Sequence, residues 1–172
     1  GWDLATALDT VPALEEFDLG WLEEPLPVDR PVEEWAALAD AAPMRLAGGE
    51  NMYDEAAFDA AVAARSLGVV QPDATKWGGL TGCFAVAKRI VGARLTYCPH
   101  FLGGAIGLTA SAHLLAAVGG DGILEVDVNP NPLREEMLGV PIPVAGGRFH
   151  ISEAHGLGAA PDLERMKPYR VR

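Results

Sequence analysis

Short apolar segments alternate with longer amphipathic segments up to residue 125, and a polar residue of a catalytic type follows each apolar segment. The apolar segments lack alternating polar positions, which is typical of parallel strands buried on both faces. Repetition of a strand followed by a helix predicts an α/β fold with a parallel sheet. The five polar residues are Glu23, Glu50, Asp73, His100 and Glu125, which lie 27, 23, 27 and 25 residues apart.

Each of these intervals fits one strand and one helix. The predicted strands are 19–22, 44–47, 68–71, 94–97 and 122–124, and the predicted helices are 3–17, 31–41, 54–64, 81–91 and 107–118. Parallel barrel strands all point the same way, so their ends meet at one rim, where barrel active sites lie. A closed (β/α)8 (TIM-like) barrel needs eight strands. Five strands therefore predict a partial barrel, with the other strands expected upstream of Gly1.

The chain divides into two parts in this interpretation. Residues 1–139 form the C-terminal part of the barrel and include an ordered loop rich in Asn and Pro at 127–139. Residues 140–172 form a C-terminal tail that contains an extended segment, a turn and a short strand. The sequence starts without a methionine, directly before a predicted helix. We therefore expect the chain to be the C-terminal part of a longer protein.

Composition limits the partners of the chain. A formal net charge of −11 argues against nucleic acid and anionic membranes as partners, because both repel an acidic surface. The longest uncharged stretch, 101–118, includes several glycines and His113, so it predicts a buried helix rather than a membrane span. The two cysteines, Cys83 and Cys98, lack a CxxC spacing and indicate buried thiols in a reducing cytoplasm.

Two glutamates at matched strand ends suggest a metal site. Carboxylate oxygens of Glu23 and Glu50 are hard ligands suited to Mg²⁺. The Gly48-Gly49 pair before Glu50 lets the backbone turn tightly there. The alternative is that both glutamates form ordinary salt bridges in loops. Two carboxylates are few for such a site, so we expect a third ligand upstream.

Asp73 and His100 follow consecutive predicted strands, and neighbouring strands lie roughly 5 Å apart, so their side chains can form a hydrogen bond. A carboxylate partner fixes the tautomer of an imidazole and raises its basicity, which yields a general base near neutral pH. The alternative is a structural histidine at the barrel rim. Glu125 either donates a hydrogen bond to developing negative charge or is a plain rim carboxylate.

Three further residues are candidate substrate contacts, each with a structural alternative. Lys76 binds a substrate oxygen or Asp73, or else forms a loop salt bridge. Arg134 pairs with a distal substrate carboxylate, or else anchors its own loop. Tyr53 lines the pocket, or else packs within a loop.

Taken in order, these motifs resemble the enolase superfamily, and most closely its mandelate racemase subgroup. The matching stretches are Trp21-Leu22-Glu23-Glu24-Pro25, Gly48-Gly49-Glu50-Asn51, Gln71-Pro72-Asp73-Ala74-Thr75-Lys76-Trp77-Gly78-Gly79, Pro99-His100 and Leu124-Glu125. The resemblance implies the C-terminal portion of a modified (β/α)7β barrel. It also implies that the N-terminal capping domain is absent from this chain and that the tail returns toward it.

The resemblance also implies roles for the site residues. Glu23 and Glu50 would bind Mg²⁺, with Asn51 supporting them, and Glu125 would stabilise an enolate oxygen. Asp73 and His100 would form the base dyad. Muconate-lactonising relatives have a lysine where this chain has Asp73, so the resemblance points to the racemase and acid-sugar dehydratase branch. The first metal ligand and the base on the opposite face would lie upstream of Gly1, so the chain alone is expected to bind metal poorly.

The leading hypothesis is an acid-sugar (aldonate or aldarate) dehydratase that forms an enediolate by Mg²⁺-dependent removal of the proton α to a carboxylate. The first alternative is a racemase or epimerase of a 2-hydroxy acid, which needs a second base. The second alternative is a non-catalytic barrel used for binding. The expected partner is a small carboxylate substrate, and family relatives suggest a homo-oligomer.

Overall fold

A parallel four-stranded sheet forms the centre of the computed structural model, which describes residues 1–171, and its strand order is β1-β2-β3-β4. The strands are β1 (Leu22–Glu23), β2 (Leu46–Gly48), β3 (Val69–Val70) and β4 (Thr96–Tyr97), and the helices are α1 (Leu4–Thr10), α2 (Val32–Ala41), α3 (Glu55–Ala64), α4 (Gly79–Gly92), α5 (Ala105–Val118) and α6 (Pro132–Glu135). A short antiparallel hairpin pairs β5 (Val144–Ala145) with β6 (Arg148–Phe149), and 3₁₀-helices span Val11–Phe17 and Lys167–Tyr169.

The two faces of the sheet have different environments. On the outer face, α1 to α5 pack in chain order and bury a continuous apolar core that includes Phe58, Ile90 and Tyr97. On the inner face, Ala47, Val69 and Cys98 form a smaller buried cluster, which Trp21 covers. This arrangement, with helices outside and small apolar side chains inside, is that of an arc cut from a barrel.

Local sequence signals explain where the helices begin and end. Asp54 caps α3, since its Oδ1 accepts the backbone N–H of Ala57 at 2.7 Å. The predicted helix at 3–17 instead becomes α1 followed by a 3₁₀-helix, because Pro12 has no N–H to continue the α-helical pattern. The predicted loop at 127–139 contains α6, which Asn131 caps and Pro132 begins.

The first four predicted strands are confirmed as parallel and consecutive, but the predicted strand at 122–124 is wrong. Gly122 packs so closely on β4 that a Cβ atom there would lie 1.8 Å from the carbonyl oxygen of Tyr97. The next backbone N–H, that of Ile123, donates to Sγ of Cys98 rather than to a carbonyl. The segment therefore runs beside β4 without joining its ladder.

The predicted tail comprises residues 140–172, of which the structure describes 140–171. Parts of it lie beside α5. The hairpin β5–β6 lies near the C-terminal half of α5, and His113 of that helix contacts the carbonyl oxygen of Leu157 at 3.1 Å. Between residues 1 and 171, every helix is too short or too polar to cross a membrane.

Candidate active site

The carboxyl ends of the four parallel strands meet at one edge of the sheet, as their order requires. Along this edge the structure brings together most of the predicted site residues through direct side-chain contacts. The residues joined in this way are Glu50, Asp73, Lys76, His100 and Glu125. They lie up to 75 residues apart in sequence, counted from Glu50 to Glu125, and the fold alone makes them neighbours.

His100 and Asp73 form a buried pair at the ends of β4 and β3. Nδ1 of His100 lies 2.9 Å from Oδ2 of Asp73. The other oxygen of Asp73 accepts hydrogen bonds from the backbone N–H and the hydroxyl of Thr75, at 2.7 and 2.6 Å. With both carboxylate oxygens engaged, Asp73 holds the imidazole in one orientation, and Nε2 of His100 faces the other site residues.

The charges around this pair shift both of its pKa values. Burial would raise the pKa of Asp73, but the hydrogen bonds from His100 and Thr75 outweigh burial and lower it. Burial opposes a charge on His100, but the bond to Asp73 and the charges of Glu50 and Glu125 outweigh that effect. The pKa of His100 is therefore raised, as expected for an imidazole surrounded by carboxylates.

Glu50 lies at the centre of the contacts. Its Oε2 makes a short contact with Nε2 of His100, while its Oε1 accepts from Nδ2 of Asn51 and Nζ of Lys76, each at 3.0 Å. Burial opposes the charge on Lys76, but the hydrogen bond and the charge of Glu50 raise the pKa of that lysine. Lys76 thus forms an ion pair with Glu50, which follows the neighbouring strand β2.

Glu24 joins the same cluster through Asn51, whose Nδ2 donates to both of its carboxylate oxygens, at 2.9 and 3.2 Å. Burial and the neighbouring charge of Glu50 raise the pKa of Glu24. Its backbone has a φ of 41°, which an L-residue rarely adopts. The amide of Asn51 therefore lies between two carboxylates and offsets part of their repulsion.

Glu23 ends β1 with its side chain directed at the interior of the arc. Its Oε2 accepts from Nε1 of Trp21 at 3.1 Å and from Nε2 of Gln71 at 2.9 Å. Gln71 is buried on the segment after β3. The first glutamate of the pair is thus fixed by two uncharged donors, whereas Glu24 faces Asn51.

Glu125 approaches the site from the segment beside β4. Its Oε2 accepts the backbone N–H of Phe101 at 2.9 Å and lies 3.9 Å from Nε2 of His100. About a third of the side chain, 36%, is exposed. Glu125 therefore reaches the same imidazole atom as Glu50, although its segment forms no strand.

The turn after β2 needs glycine at one position. Gly49 has a φ of 124°, and a Cβ atom there would lie 3.1 Å from the backbone nitrogen of Gln71. A side chain at Gly49 would strain the backbone and push β2 from β3. The glycine thus keeps Glu50 close to the residues after β3.

Two predicted substrate contacts lie apart from this cluster. Tyr53 is 58% exposed and lines a cavity of about 350 Å³ between α2 and α3. Arg134 is buried in its own loop, where it pairs with Asp127 at 3.0 Å and donates to the carbonyl oxygen of Asn129. These contacts correspond to the loop-anchor interpretation of Arg134 and leave its guanidinium engaged.

Four residues without a predicted role also lie in the site. These residues are Trp21, Glu24, Gln71 and Thr75. Two signals in the sequence pointed to them: each lies within two residues of a predicted site residue, and each falls in a stretch that resembles the enolase superfamily. Within residues 1–171, no three His, Cys, Asp or Glu side chains are arranged to hold a metal ion.

Comparison with known proteins gives consistent matches over nearly the whole chain. Residues 1–166 match the family model described as enolase C-terminal domain-like. The chain is 31% identical over 157 residues to the L-talarate/galactarate dehydratase of Salmonella typhimurium, covering 91% of this chain and 37% of that protein. It is 24% identical over 179 residues to the D-galactarolactone cycloisomerase of Agrobacterium fabrum, covering 99% and 47%. The chain thus spans about half, or less, of the length of these curated relatives.

Solved structures give the same result. A mandelate racemase/muconate lactonizing enzyme from Bordetella bronchiseptica RB50 superimposes with a TM-score of 0.92 at 54% identity, covering 98% of this chain and 47% of that one. The 3,6-anhydro-D-galactonate cycloisomerase from Zobellia galactanivorans gives a TM-score of 0.89 at 26% identity, covering 98% and 47%. These similarities confirm the predicted α/β fold as the C-terminal portion of a barrel.

Proposed function

Because the chain belongs to the enolase C-terminal domain-like family, we propose that its protein removes the proton α to a carboxylate of an acid sugar and then eliminates water. Relatives named as dehydratases of L-talarate/galactarate and of arabinonate support this choice of reaction. They also support an aldonate or aldarate as the substrate class.

One observation carries the proposal: the pairing of His100 with Asp73. The bond from Nδ1 to Oδ2, at 2.9 Å, makes Nε2 of the imidazole the atom that would accept the substrate proton. This arrangement suits a general base, because the second group fixes the tautomer and the orientation of the imidazole. Nε2 also faces two other carboxylates of the site, those of Glu50 and Glu125.

Glu23 and Glu50 also supply oxygen ligands of the type that Mg²⁺ prefers. Within the described chain, the hydrogen bonds to Glu23 end on Oε2, and those from Asn51 and Lys76 to Glu50 end on Oε1. Glu23 therefore has one oxygen held by protein donors and a second, hard oxygen available as a ligand. Oε2 of Glu50 contacts Nε2 of His100 and would exchange that contact for the cation. Mg²⁺ bound there would stabilise negative charge on the substrate carboxylate. A third ligand from outside residues 1–171 is part of this proposal.

The chain's own residues account for the proton transfers. Nε2 of His100 takes the α-proton, and the electron pair of the broken C–H bond moves into the carboxylate as an enediolate. Glu125, close to the same nitrogen, then stabilises the developing charge by donating a hydrogen bond to it. His100 returns the proton to the β-hydroxyl, which leaves as water, and the resulting enol becomes a 2-keto acid. Atoms and charges balance without another reactant.

The test uses the complete protein that contains this chain. It is purified with Mg²⁺ and screened against aldonic and aldaric acids for 2-keto products. We expect at least one substrate to turn over, and we expect the variant His100→Asn to lose turnover by 10² to 10⁴, roughly the contribution of general acid–base catalysis. Full turnover by H100N would overturn the role of His100, and absence of any 2-keto product would overturn the dehydratase.

A racemase or epimerase acting on a 2-hydroxy acid is the second candidate, favoured by the 54% identity to a protein named mandelate racemase/muconate lactonizing enzyme. Such an enzyme would use the same His100 and Asp73. Solvent deuterium separates the two: incorporation at the α-carbon without loss of water indicates racemisation. If neither reaction occurs and Mg²⁺ leaves the Tm unchanged, the barrel serves binding alone.

A further inference from the structure

We propose that Gln71 is a positioning residue that holds Glu23 in the orientation needed to bind a divalent cation. This inference rests on the proposed function, since it assigns Glu23 to the cation site. The carboxamide of Gln71 donates through Nε2 to Oε2 of Glu23 at 2.9 Å. The indole of Trp21 donates to the same oxygen at 3.1 Å.

The chemistry of the carboxamide fixes its orientation. The Glu23 carboxylate accepts hydrogen bonds but donates none, so the NH₂ group of Gln71 must face it and Oε1 must point away. Within the described chain, Oε1 of Gln71 is buried without a hydrogen-bond partner. Buried polar atoms are normally paired. The fold thus keeps a glutamine with one unpaired acceptor at a site where an apolar side chain would avoid that cost.

The backbone keeps Gln71 in place. Its N–H donates to the carbonyl oxygen of Gly48 at 2.7 Å, and Gly49 packs directly against its backbone nitrogen. Only 4% of the residue is exposed. The carboxamide therefore has little freedom and acts as a fixed donor to Glu23, which is itself on the more exposed end of β1.

Because two donors converge on Oε2 of Glu23, the direction of its other carboxylate oxygen is fixed as well. With Oε2 engaged by Gln71 and Trp21, the Oε1 atom of Glu23 is held in one direction and is available as a monodentate ligand. Hydrogen-bond partners of ligating carboxylates generally contribute 10- to 100-fold to metal affinity. Loss of Gln71 should therefore weaken cation binding without removing a ligand.

The variant Gln71→Met tests this role in the complete protein. Methionine has nearly the same shape but neither donates to Glu23 nor buries an unpaired carbonyl. We expect the dissociation constant for Mg²⁺, measured by calorimetry without substrate, to rise about 10- to 100-fold. We expect the Tm without metal to stay the same or rise. A residue that served folding alone would show the reverse: a lower Tm and unchanged Mg²⁺ affinity.

Two further variants complete the experiment. Thr96→Val, at the opposite edge of the sheet, removes buried hydrogen bonds with Arg45 and Asp121 and should lower the Tm while leaving Mg²⁺ affinity unchanged. Trp21→Phe removes the other donor to Glu23 and should also weaken Mg²⁺ binding. If Q71M fails to fold, Gln71→Leu, which also removes the donor to Glu23, replaces it, and wild-type Mg²⁺ affinity in that variant overturns the inference.

The outcomes also separate this inference from the proposed function. Wild-type protein that binds Mg²⁺ and dehydrates an acid sugar, together with Q71M of equal Mg²⁺ affinity, would overturn the role of Gln71 alone. Wild-type protein that binds no Mg²⁺ would overturn the cation site and, with it, the proposed function.

Discussion

Oδ2 of Asp73 lies 2.9 Å from Nδ1 of His100, and both side chains are buried, with 3% and 4% of their surfaces exposed. Thr75 holds the second oxygen of Asp73 through its N–H and its hydroxyl. The pair is therefore set by neighbouring strand ends and a local turn. Because the pair is buried and held by fixed neighbours, single substitutions can test what it contributes to catalysis.

The variant Asp73→Asn should retain the fold and lose most of the activity. Asparagine has the same shape, but it lacks the negative charge that holds the Nδ1 proton and stabilises the imidazolium. We expect kcat to fall by about 10² to 10⁴, with a smaller change in KM. Steady-state kinetics on the acid sugar found in the screen will measure this. Wild-type kcat in D73N would contradict the dyad.

Asp73 should also make stability depend on pH. Its pKa is lowered in the folded protein, so its stabilising effect is complete above the unfolded value of about 3.9 and is lost as the pH falls through the folded pKa. His100 is protonated in both states over that range. We expect the Tm difference between wild type and D73N to shrink as the pH falls from 5 to 3, in thermal melts. A difference independent of pH would contradict this account.

Sequence periodicity predicted the four paired strands because each is a short apolar run before a polar residue. It predicted the pairing of Asp73 with His100 because parallel strands place their ends together. It did not predict that Glu24, rather than Glu23, faces Asn51. Which of the two adjacent glutamates contacts Asn51 depends on the backbone at Glu24. Its φ of 41° cannot be predicted from composition or spacing.

The contact of Gln71 with Glu23 could not be predicted for a different reason. A glutamine before proline looks like a loop residue in sequence, and only the strand order, with β2 between β1 and β3, brings its amide to Glu23. Arg134 illustrates the reverse case, because from sequence a lone arginine in a loop suits either a substrate carboxylate or a loop anchor. Its contacts with Asp127 and Asn129 became visible only with the loop folded.

The variant Arg134→Met therefore separates the two interpretations of that residue. As a loop anchor, Arg134 leaves Oδ2 of Asp127 and the carbonyl oxygen of Asn129 without their donor when removed, which costs stability. We expect a lower Tm and an unchanged ratio of KM values for a diacid and its monoacid analogue. A rise of more than about tenfold in the KM of the diacid alone, equivalent to about 1.4 kcal/mol, would instead assign Arg134 to the substrate.

Gly122 offers a test of the segment that carries Glu125. A Cβ atom there would overlap the carbonyl oxygen of Tyr97 at 1.8 Å, so alanine must push the segment away from β4. We expect Gly122→Ala to destabilise the protein by about 1–3 kcal/mol, the usual cost of overpacking, in urea denaturation. Gly20→Ala is the matched control, because nothing lies within 4 Å of a Cβ atom at Gly20.

Gly122→Ala should also lower the catalytic rate, because it displaces Glu125 and not because it destabilises the fold. Moving the segment moves Glu125 from its place 3.9 Å from Nε2 of His100, and misplaced charge stabilisation lowers kcat more than it raises KM. At a temperature where G122A remains folded, we expect kcat to fall by roughly tenfold or more while Mg²⁺ affinity stays unchanged, since Glu23 and Glu50 lie on other strands. Wild-type kcat in folded G122A would show that Glu125 does not need this position.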